Sequence, residues 1–239
     1  MTPRRNRCGA TCHAARHLEL LTLSSHLVLP EPVARVAGLM STFRPNWFLC
    51  GGWAIDAWLG RQTREHGDID ISVFHDDQRA IFDHLAGWQL IGHDLNVADD
   101  TGEPWNGRTL DLPAHIHARP GDAGPVTLET GHAPGFNLEV ILNECSGGEW
   151  IFSREPSISL PLSQCAEEPV WGQPTALPQV LLFYKATAYF GMTNMRPRPQ
   201  DEADFLALLP LLSPDRRDWL RESILLVHPG HPWPSQFSV

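Results

Sequence analysis

The stretch CGGWAIDAWLGRQTREHGDIDISV, residues 50–73, decides the fold of this chain of 239 residues. It places two adjacent glycines, Gly51 and Gly52, ahead of an Asp-Ile-Asp at Asp68 to Asp70 that lies within an apolar alternation. Glycine lets the backbone approach a phosphate closely, because it has no Cβ and its φ angle is unrestricted. Two carboxylates spaced i, i+2 on a strand point to the same face and can share a divalent cation. The stretch therefore predicts phosphate-binding glycines beside a metal-binding carboxylate pair.

The segments around this stretch alternate between helical and strand periods. Residues 32–42 and 76–88 predict amphipathic helices, and residues 46–50 predict a short strand. The two glycines lead into a helix that ends at Gly60, a residue type favoured at helix C-termini. Residues 68–74 alternate strictly, which predicts a strand with its aspartates on one face and its aliphatic residues on the other.

Further along the chain, a second strand and a helical end are predicted. Residues 136–143, FNLEVILN, predict a strand in which Glu139 is the polar residue near the middle. Three helices follow, over residues 177–190, 201–212 and 215–227. We therefore expect the last third of the chain to be mainly helical.

Composition restricts the class of protein. The formal net charge is −10, which argues against general affinity for nucleic acid, since binding to phosphate backbones needs clustered Lys and Arg. No apolar run has the length of a membrane-spanning helix. The five cysteines have no disulfide-like rhythm, so we expect a reduced, cytoplasmic protein.

The predicted domains are an N-terminal extension, residues 1–30, a catalytic domain, residues 31–160, and a helical C-terminal domain, residues 161–239. The extension has no clear period, and we expect it to be poorly ordered. It contains a set that resembles a zinc site: Cys8, Cys12, His13 and His17. No loop separates the cysteine pair from the histidine pair, unlike ordinary zinc modules.

Three carboxylates form the candidate metal site. Asp68 and Asp70 supply a pair, and Glu139 could add a third carboxylate from a neighbouring strand. Three carboxylates can hold two Mg²⁺ ions, one for the attacking hydroxyl and one for a triphosphate. The alternative is that Asp68 and Asp70 lie on a solvated strand face.

Several other residues around the deciding stretch could contact phosphates. Gly51 and Gly52 could bind phosphate through backbone amides at a helix N-terminus, or they could form a plain tight turn. Arg64 and His66 could contact phosphates or be surface charges. For Asp56, on the predicted helix, we expect a structural pairing with a basic residue.

Two other features concern Lys185 and a histidine pair. Lys185 is the only lysine in the chain, and its compact charge suits phosphate oxygens. His115 and His117 could share a strand face, but no carboxylate nearby in sequence completes a metal set. They lie within residues 92–134, a segment rich in Gly and Pro that predicts short strands and substrate-facing loops.

The quoted stretch resembles the nucleotidyltransferase superfamily typified by DNA polymerase beta. Cys50-Gly51-Gly52 and Asp68-Ile69-Asp70 fit its pattern of a hydrophobic residue and two glycines followed by Asp-x-Asp, with a slightly longer spacer. The GGWAID opening and the TR-x-H-x-DID ending are similar to the aminoglycoside and lincosamide nucleotidyltransferases of bacterial antibiotic resistance. FNLEVILNE resembles the strand of the third carboxylate, Glu139, and PQVLLFYKA resembles a helix whose lysine is Lys185.

The resemblance implies an α/β (α+β) fold, with a small mixed β-sheet flanked by helices and a helical C-terminal region. It implies transfer of a nucleoside monophosphate, AMP from ATP, to a hydroxyl of a small molecule such as an aminoglycoside or lincosamide antibiotic. Asp68 and Asp70 would hold Mg²⁺, and Glu139 would bind the catalytic metal or act as general base. The residues expected to hold the triphosphate are Gly51, Gly52, Arg64, His66 and Lys185. We expect a monomer or homodimer without nucleic-acid or membrane partners.

Three rival functions differ in what they require. A catalytically inactive module with the same fold, such as an antitoxin, would not need all three carboxylates. A phosphohydrolase with an aspartyl nucleophile needs Gly-Thr after the second aspartate, where this chain has Ile71 and Ser72. A nucleic-acid-modifying transferase is disfavoured by the negative charge and the lack of a basic stripe.

Overall fold

The computed structural model describes residues 29–97, 100–121, 136–188 and 196–237. The predictions for the N-terminal extension and for its cluster of cysteines and histidines therefore fall outside the described residues, apart from Leu29 and Pro30. Cys50 and Cys165 are free, but Cys145 forms a disulfide, so the expectation that all cysteines are reduced is wrong. Among the helices that the structure describes, none is both long and apolar enough to cross a membrane.

In this part of the chain, three helices alternate with strands at first, a run of strands follows, and three helices end the chain. The helices are α1 Glu31–Met40, α2 Gly51–Leu59, α3 Gln78–His84, α4 Pro178–Ala188, α5 Pro199–Leu208 and α6 Pro214–Val227. The strands are β1 Trp47–Cys50, β2 Ile69–Phe74, β3 Gln89–Asp94, β4 Glu103–Pro104, β5 Ala114–Arg119, β6 Leu138–Ser146, β7 Glu149–Ile151, β8 Ser159–Pro161, β9 Ala166–Glu167 and β10 Thr175–Ala176.

The deciding stretch folds as a strand, a helix and a second strand. α2 begins at Gly51 itself, so the two glycines form its first turn rather than a turn before it. Gly60 ends the helix in the left-handed conformation at φ 68°, as its sequence position predicts. β2 then returns antiparallel to β1, and the aliphatic side chains of Ile69, Ile71 and Val73 are buried as the alternation predicts.

Ten strands form one mixed sheet, which confirms the predicted fold class. The main path runs in the order β4-β3-β5-β6-β2-β1-β10-β9, and β7 and β8 extend from β6. β2 pairs in parallel with β6, and β1 pairs in parallel with β10, whereas the other pairings are antiparallel. The sheet has more strands than the sequence predicts, because several of them are only two or three residues long.

The pairing of β2 with β6 determines where the acidic residues lie. Asp70 is the partner of Glu139 in the parallel register, and the aliphatic Ile69 and Ile71 are the partners of Leu138 and Val140. The aliphatic residues of both strands are buried in the core. The acidic side chains therefore share the opposite face of the sheet.

The Gly- and Pro-rich segment contributes longer strands than expected. β3 and β5 are six residues each, and they pair with one another over their whole length. β5 also pairs with β6, so the segment continues the main sheet on the side away from β1. In β5, the apolar residues Ala114, Ile116 and Ala118 are buried, and His115 and His117 face away from them, as their spacing predicts.

Helices dominate the end of the chain. α4 packs on α5 and α6, and both α4 and α5 contact α2, which joins the helical region to the deciding stretch. Two strands that follow residue 160, β9 and β10, belong to the main sheet, and the helices begin only at Pro178. The division into domains at residue 160 stays a prediction.

Candidate active site

Three carboxylates meet at the polar face of β2 and β6. Asp68 directly precedes β2, Asp70 lies within it, and Glu139 lies beside Asp70 on β6. Each offers an oxygen atom, and these atoms lie within 4.8 Å of one another. All three side chains are half-buried. Carboxylate oxygens are the ligands that Mg²⁺ prefers, so the arrangement fits a divalent cation.

The electrostatics of the cluster also fit a cation. Burial and the neighbouring charge of Asp68 raise the pKa of Asp70 to about 7. Burial and the charges of Asp70 and Asp68 raise the pKa of Glu139 to about 9. A hydrogen bond between Asp70 and Glu139 lowers the pKa of the first and raises that of the second, so Glu139 holds the proton that they share. Negative charge concentrated in this way is relieved by a bound divalent ion.

Each glycine of the pair leaves room for a different neighbour. Gly51 has φ +64°, and a Cβ at this position would collide with the carboxyl group of Asp70. A Cβ at Gly52 would collide with the ring of His66 and would lie 3.0 Å from Nη2 of Arg64. The absence of side chains therefore lets the start of α2 lie directly against Asp70, His66 and Arg64.

Asp56 is a structural residue, as expected. Its Oδ2 is 2.6 Å from Nε2 of His66, and its Oδ1 accepts hydrogen bonds from the amide and the hydroxyl of Thr63. The His66 side chain is only 3% exposed, and its ring packs on Trp53 at a centroid distance of 4.6 Å. His66 therefore holds the connector before β2 against α2, and its contact with a nucleotide stays a prediction.

Lys185 lies on α4 between two carboxylates of α5. Its Nζ is 3.1 Å from Oδ1 of Asp201 and 2.7 Å from Oδ2 of Asp204, and its side chain is mostly buried. Arg64 approaches the same Asp204 oxygen at 4.0 Å. Lys185 and Arg64 each lower the pKa of Asp70, although the larger effect of burial raises it. The two cations that the sequence assigns to a triphosphate thus act on the carboxylate cluster, and their contact with phosphate stays a prediction.

Beside the carboxylates, the structure brings together three histidines that sequence reasoning did not connect. His115 and His117 lie on β5, and His93 lies opposite them on β3. His115 Nδ1 is 3.6 Å and His117 Nε2 is 3.8 Å from the carboxylate oxygens of Glu139. Burial and the neighbouring His117 and His93 lower the pKa of His115 to about 3. This group depends on the pairing of β3 with β5, which the hydrophobic period of each strand does not reveal.

A cavity of about 270 Å³ opens next to the carboxylates. Asp68, His66 and Trp53 line one part of it, and Arg35 and Phe136 line another. The Arg35 guanidinium lies 4.2 Å from the ring centroid of Phe136. This cavity can accept part of a small molecule beside Asp68.

One known family matches part of this chain. Residues 32–97 match the family described as aminoglycoside-2''-adenylyltransferase, a region that includes α1, α2 and β2 but covers well under half of the chain. No curated protein sequence matches the chain significantly.

Solved structures with the same arrangement are known. The antibiotic-resistance factor ANT(2'')-Ia in solution has a TM-score of 0.50 at 16% identity, over 80% of this chain and 88% of that one. The lincosamide antibiotic adenylyltransferase LnuA with lincomycin bound has a TM-score of 0.50 at 15% identity, over 77% of this chain and 99% of that one. At such low identities the similarity establishes the fold. This chain therefore has the fold of the nucleotidyltransferases, and it is similar to the aminoglycoside and lincosamide enzymes named above.

Proposed function

We propose that this protein is a Mg²⁺-dependent nucleotidyltransferase that moves AMP from ATP to a hydroxyl of a small molecule, such as an aminoglycoside or lincosamide antibiotic. The observation that carries the proposal is the meeting of Asp68, Asp70 and Glu139 on adjacent strands next to α2. The names of the matching family and of LnuA support an adenylyl group as the transferred unit. A cytoplasmic monomer or homodimer, without nucleic acid, belongs to the same proposal.

The carboxylates have separate roles in this reaction. Asp68 and Asp70 would hold Mg²⁺, which would neutralise triphosphate charge and favour ionisation of the attacking hydroxyl. Glu139 faces the same space and already holds a proton in the metal-free cluster. Once a cation offsets the repulsion from Asp70, Glu139 can ionise and bind the catalytic metal or accept the proton of the acceptor hydroxyl.

The residues around α2 orient the triphosphate. The amides of Gly51 and Gly52 lie at the N-terminus of a nine-residue helix, where backbone donors and the helix dipole favour phosphate. Arg64 and Lys185 add positive charge on the same side of the cluster. His66 has an indirect role in triphosphate binding, because its ring lies against Gly52 and its Nε2 pairs with Asp56 of α2.

The cavity next to Asp68 is the place that we assign to part of a substrate. Its volume of about 270 Å³ is near the small end of ligand pockets. Glu31 and Asp68 contribute negative charge to its lining, and Arg35, which lies over the Phe136 ring, offsets part of it. The remaining negative charge suits an acceptor that carries amino groups.

One observation favours a second candidate, a binding module such as an antitoxin. Lys185 is already held by Asp201 and Asp204 and must bind a triphosphate from within these ion pairs. A module without catalysis would use Lys185 only to join α4 to α5. The two functions differ in whether Mg²⁺ and ATP bind together at the carboxylates.

Calorimetric titration with ATP separates them. We expect ATP to bind the full chain with Mg²⁺, and binding to be lost in Asp70→Asn. Asp76→Asn is the matched control, because Asp76 is a 67% exposed aspartate that follows the same strand. Glu139→Gln should keep most of the ATP affinity but lower the turnover rate strongly. If wild-type protein with Mg²⁺ binds no triphosphate, nucleotidyltransferase activity is ruled out and the binding module is favoured.

A further inference from the structure

Three imidazole rings lie together on the polar face of β3 and β5. His93 is the strand partner of His115, and His117 lies two residues further along β5 on the same face. The three pairs of ring centroids are separated by 4.7, 4.4 and 4.8 Å. One ring nitrogen from each histidine lies within 4.8 Å of the others. Three convergent nitrogen atoms are the minimum set of a metal site with an open position.

The orientation of His93 is determined by a carboxylate. Its Nδ1 is 2.9 Å from Oδ2 of Asp100, which also accepts a hydrogen bond from the amide of Gly102. Its Nε2 is buried and has no hydrogen-bond partner within the part of the chain that the structure describes. A buried polar atom without a partner is unfavourable, so this nitrogen is a candidate metal ligand. Metal-bound histidines commonly use their second nitrogen in this way, with a carboxylate that fixes the ring.

We propose that His93, His115 and His117 bind a divalent first-row transition metal ion, with zinc as its representative. Imidazole nitrogen suits Zn²⁺ and its neighbours in the series, whereas Mg²⁺ prefers oxygen. His117 is 50% exposed, which gives an ion a route into the site and leaves room for water as the fourth ligand.

The rings need only a small adjustment to close on an ion. Ligands of tetrahedral zinc lie about 2.0–2.1 Å from the metal, and therefore about 3.4 Å from one another. The nitrogen atoms of this cluster lie up to 4.8 Å apart, so rotations of the rings must bring them together by about 1.4 Å.

This site is distinct from the Mg²⁺ cluster but adjoins it through Glu139. The histidines lie on β3 and β5, and the carboxylates lie on β2 and β6 and before β2. His115 and His117 approach Glu139 at 3.6 and 3.8 Å, so an ion held by the histidines would lie next to the proposed general base. The proposal rests on the histidine geometry alone and does not require the nucleotidyltransferase activity.

Equilibrium dialysis of the full chain tests the site. Protein stripped with a chelator is dialysed against Zn²⁺ in excess Mg²⁺, and bound zinc is measured by elemental analysis. We expect one equivalent that is bound at least tenfold more weakly in His117→Gln, a change at a half-exposed position that the fold tolerates. His93→Gln should weaken binding similarly, and Asp100→Asn should lower the affinity about 10–100-fold through the second nitrogen of His93. Circular dichroism checks that each variant is folded.

Three controls identify where the zinc is bound. His13→Gln with His17→Gln removes the histidines of the other nitrogen–sulfur cluster noted in the sequence, Asp68→Asn removes a carboxylate ligand, and His228→Gln removes a histidine elsewhere. Each should keep the zinc equivalent, and Co²⁺ in its place should show the visible bands of four-coordinate cobalt. The proposal is overturned if wild-type protein binds no zinc, or if the zinc is lost in one of these controls and retained in His117→Gln.

Discussion

Substitution of Gly51 should cause both backbone strain and damage to the carboxylate site. Its positive φ would cost any other residue about 1–2 kcal/mol, and a Cβ there would also displace the carboxyl group of Asp70. We therefore expect Gly51→Ala to lose stability and to bind Mg²⁺ and ATP much more weakly. Thermal unfolding and calorimetric titration measure the two effects.

Gly60 provides the matched control for this substitution. It has nearly the same φ, +68°, and the nearest atom that its Cβ would meet belongs to the Val170 side chain, at 3.3 Å. Gly60→Ala should lose a similar amount of stability and keep its ATP affinity. Equal losses of ATP affinity in both variants would show that the close approach of Gly51 to Asp70 does not matter for ATP binding.

The raised pKa values of Asp70 and Glu139 predict how the stability of the metal-free protein depends on pH. The folded state keeps protons up to about pH 7 on Asp70 and about pH 9 on Glu139, whereas the unfolded chain releases them near pH 4. Because the folded state then binds more protons, the free energy of unfolding should fall as pH rises from about 4 to 9.

The melting temperature in chelator at pH 6 and pH 9 tests this dependence. Each kcal/mol of lost stability lowers the melting temperature of a protein of this size by about 2–4 °C. Glu139→Gln removes the more strongly shifted group, so its melting temperature should fall less over this interval. Mg²⁺ should raise the melting temperature of wild-type protein more at pH 9 than at pH 6. The same pH dependence in variant and wild type would contradict the account.

At the scale of elements, the ion pairs of Lys185 connect α4 to α5. Loss of one partner from a buried pair costs about 3–5 kcal/mol, because the other charge remains buried. Lys185→Met should fall near the lower end of that range, since Arg198 still pairs with Asp201 at 2.6 Å. Chemical denaturation measures the loss of stability.

An exposed pair gives the comparison for Lys185. Arg79 and Asp83 are paired at 2.9 Å on α3, but their side chains are 67% and 58% exposed. Arg79→Met should therefore change the free energy of unfolding by no more than about 1 kcal/mol. A loss for Lys185→Met as small as that for Arg79→Met would mean that the pairs of α5 do not hold the helix.

Local periodicity predicts the elements that carry the glycine pair and the carboxylates of the candidate site. β1, α2 and β2 follow from the glycines and from the alternation, and β6 follows from its apolar pattern with Glu139 in the middle. The pairing of β2 with β6 places Asp70 beside Glu139. No local period in the sequence encodes this register. The sequence predicts Glu139 only as a possible third carboxylate from a neighbouring strand, and the family resemblance supports that placement.

Longer-range pairings account for what the sequence does not predict. His93 meets His115 and His117 because β3 pairs with β5, and a strand with polar histidines on one face does not stand out by composition. Lys185 meets Asp201 and Asp204 because α4 and α5 pack together. Both arrangements join residues that are distant in the sequence, so no local period brings them together.

At the scale of the whole molecule, the C-terminal helices and the sheet meet at α2, next to the carboxylate cluster. α4 and α5 contact α2, whose first turn lies against Asp70, so the helices bring Lys185 towards the carboxylates of the sheet. The fold therefore supplies carboxylates from one layer and a cation from the other, as phosphoryl and nucleotidyl transfer require.

Transfer of label from ATP tests the central claim of nucleotidyl transfer most directly. The full chain is incubated with Mg²⁺, a panel of aminoglycosides and lincosamides, and ATP labelled at the α- or the γ-phosphate. We predict transfer of the α-label to an acceptor with release of pyrophosphate, loss of this transfer in Asp70→Asn, and normal transfer in Asp76→Asn. Transfer of the γ-label, or undiminished transfer by Asp70→Asn, would contradict the account.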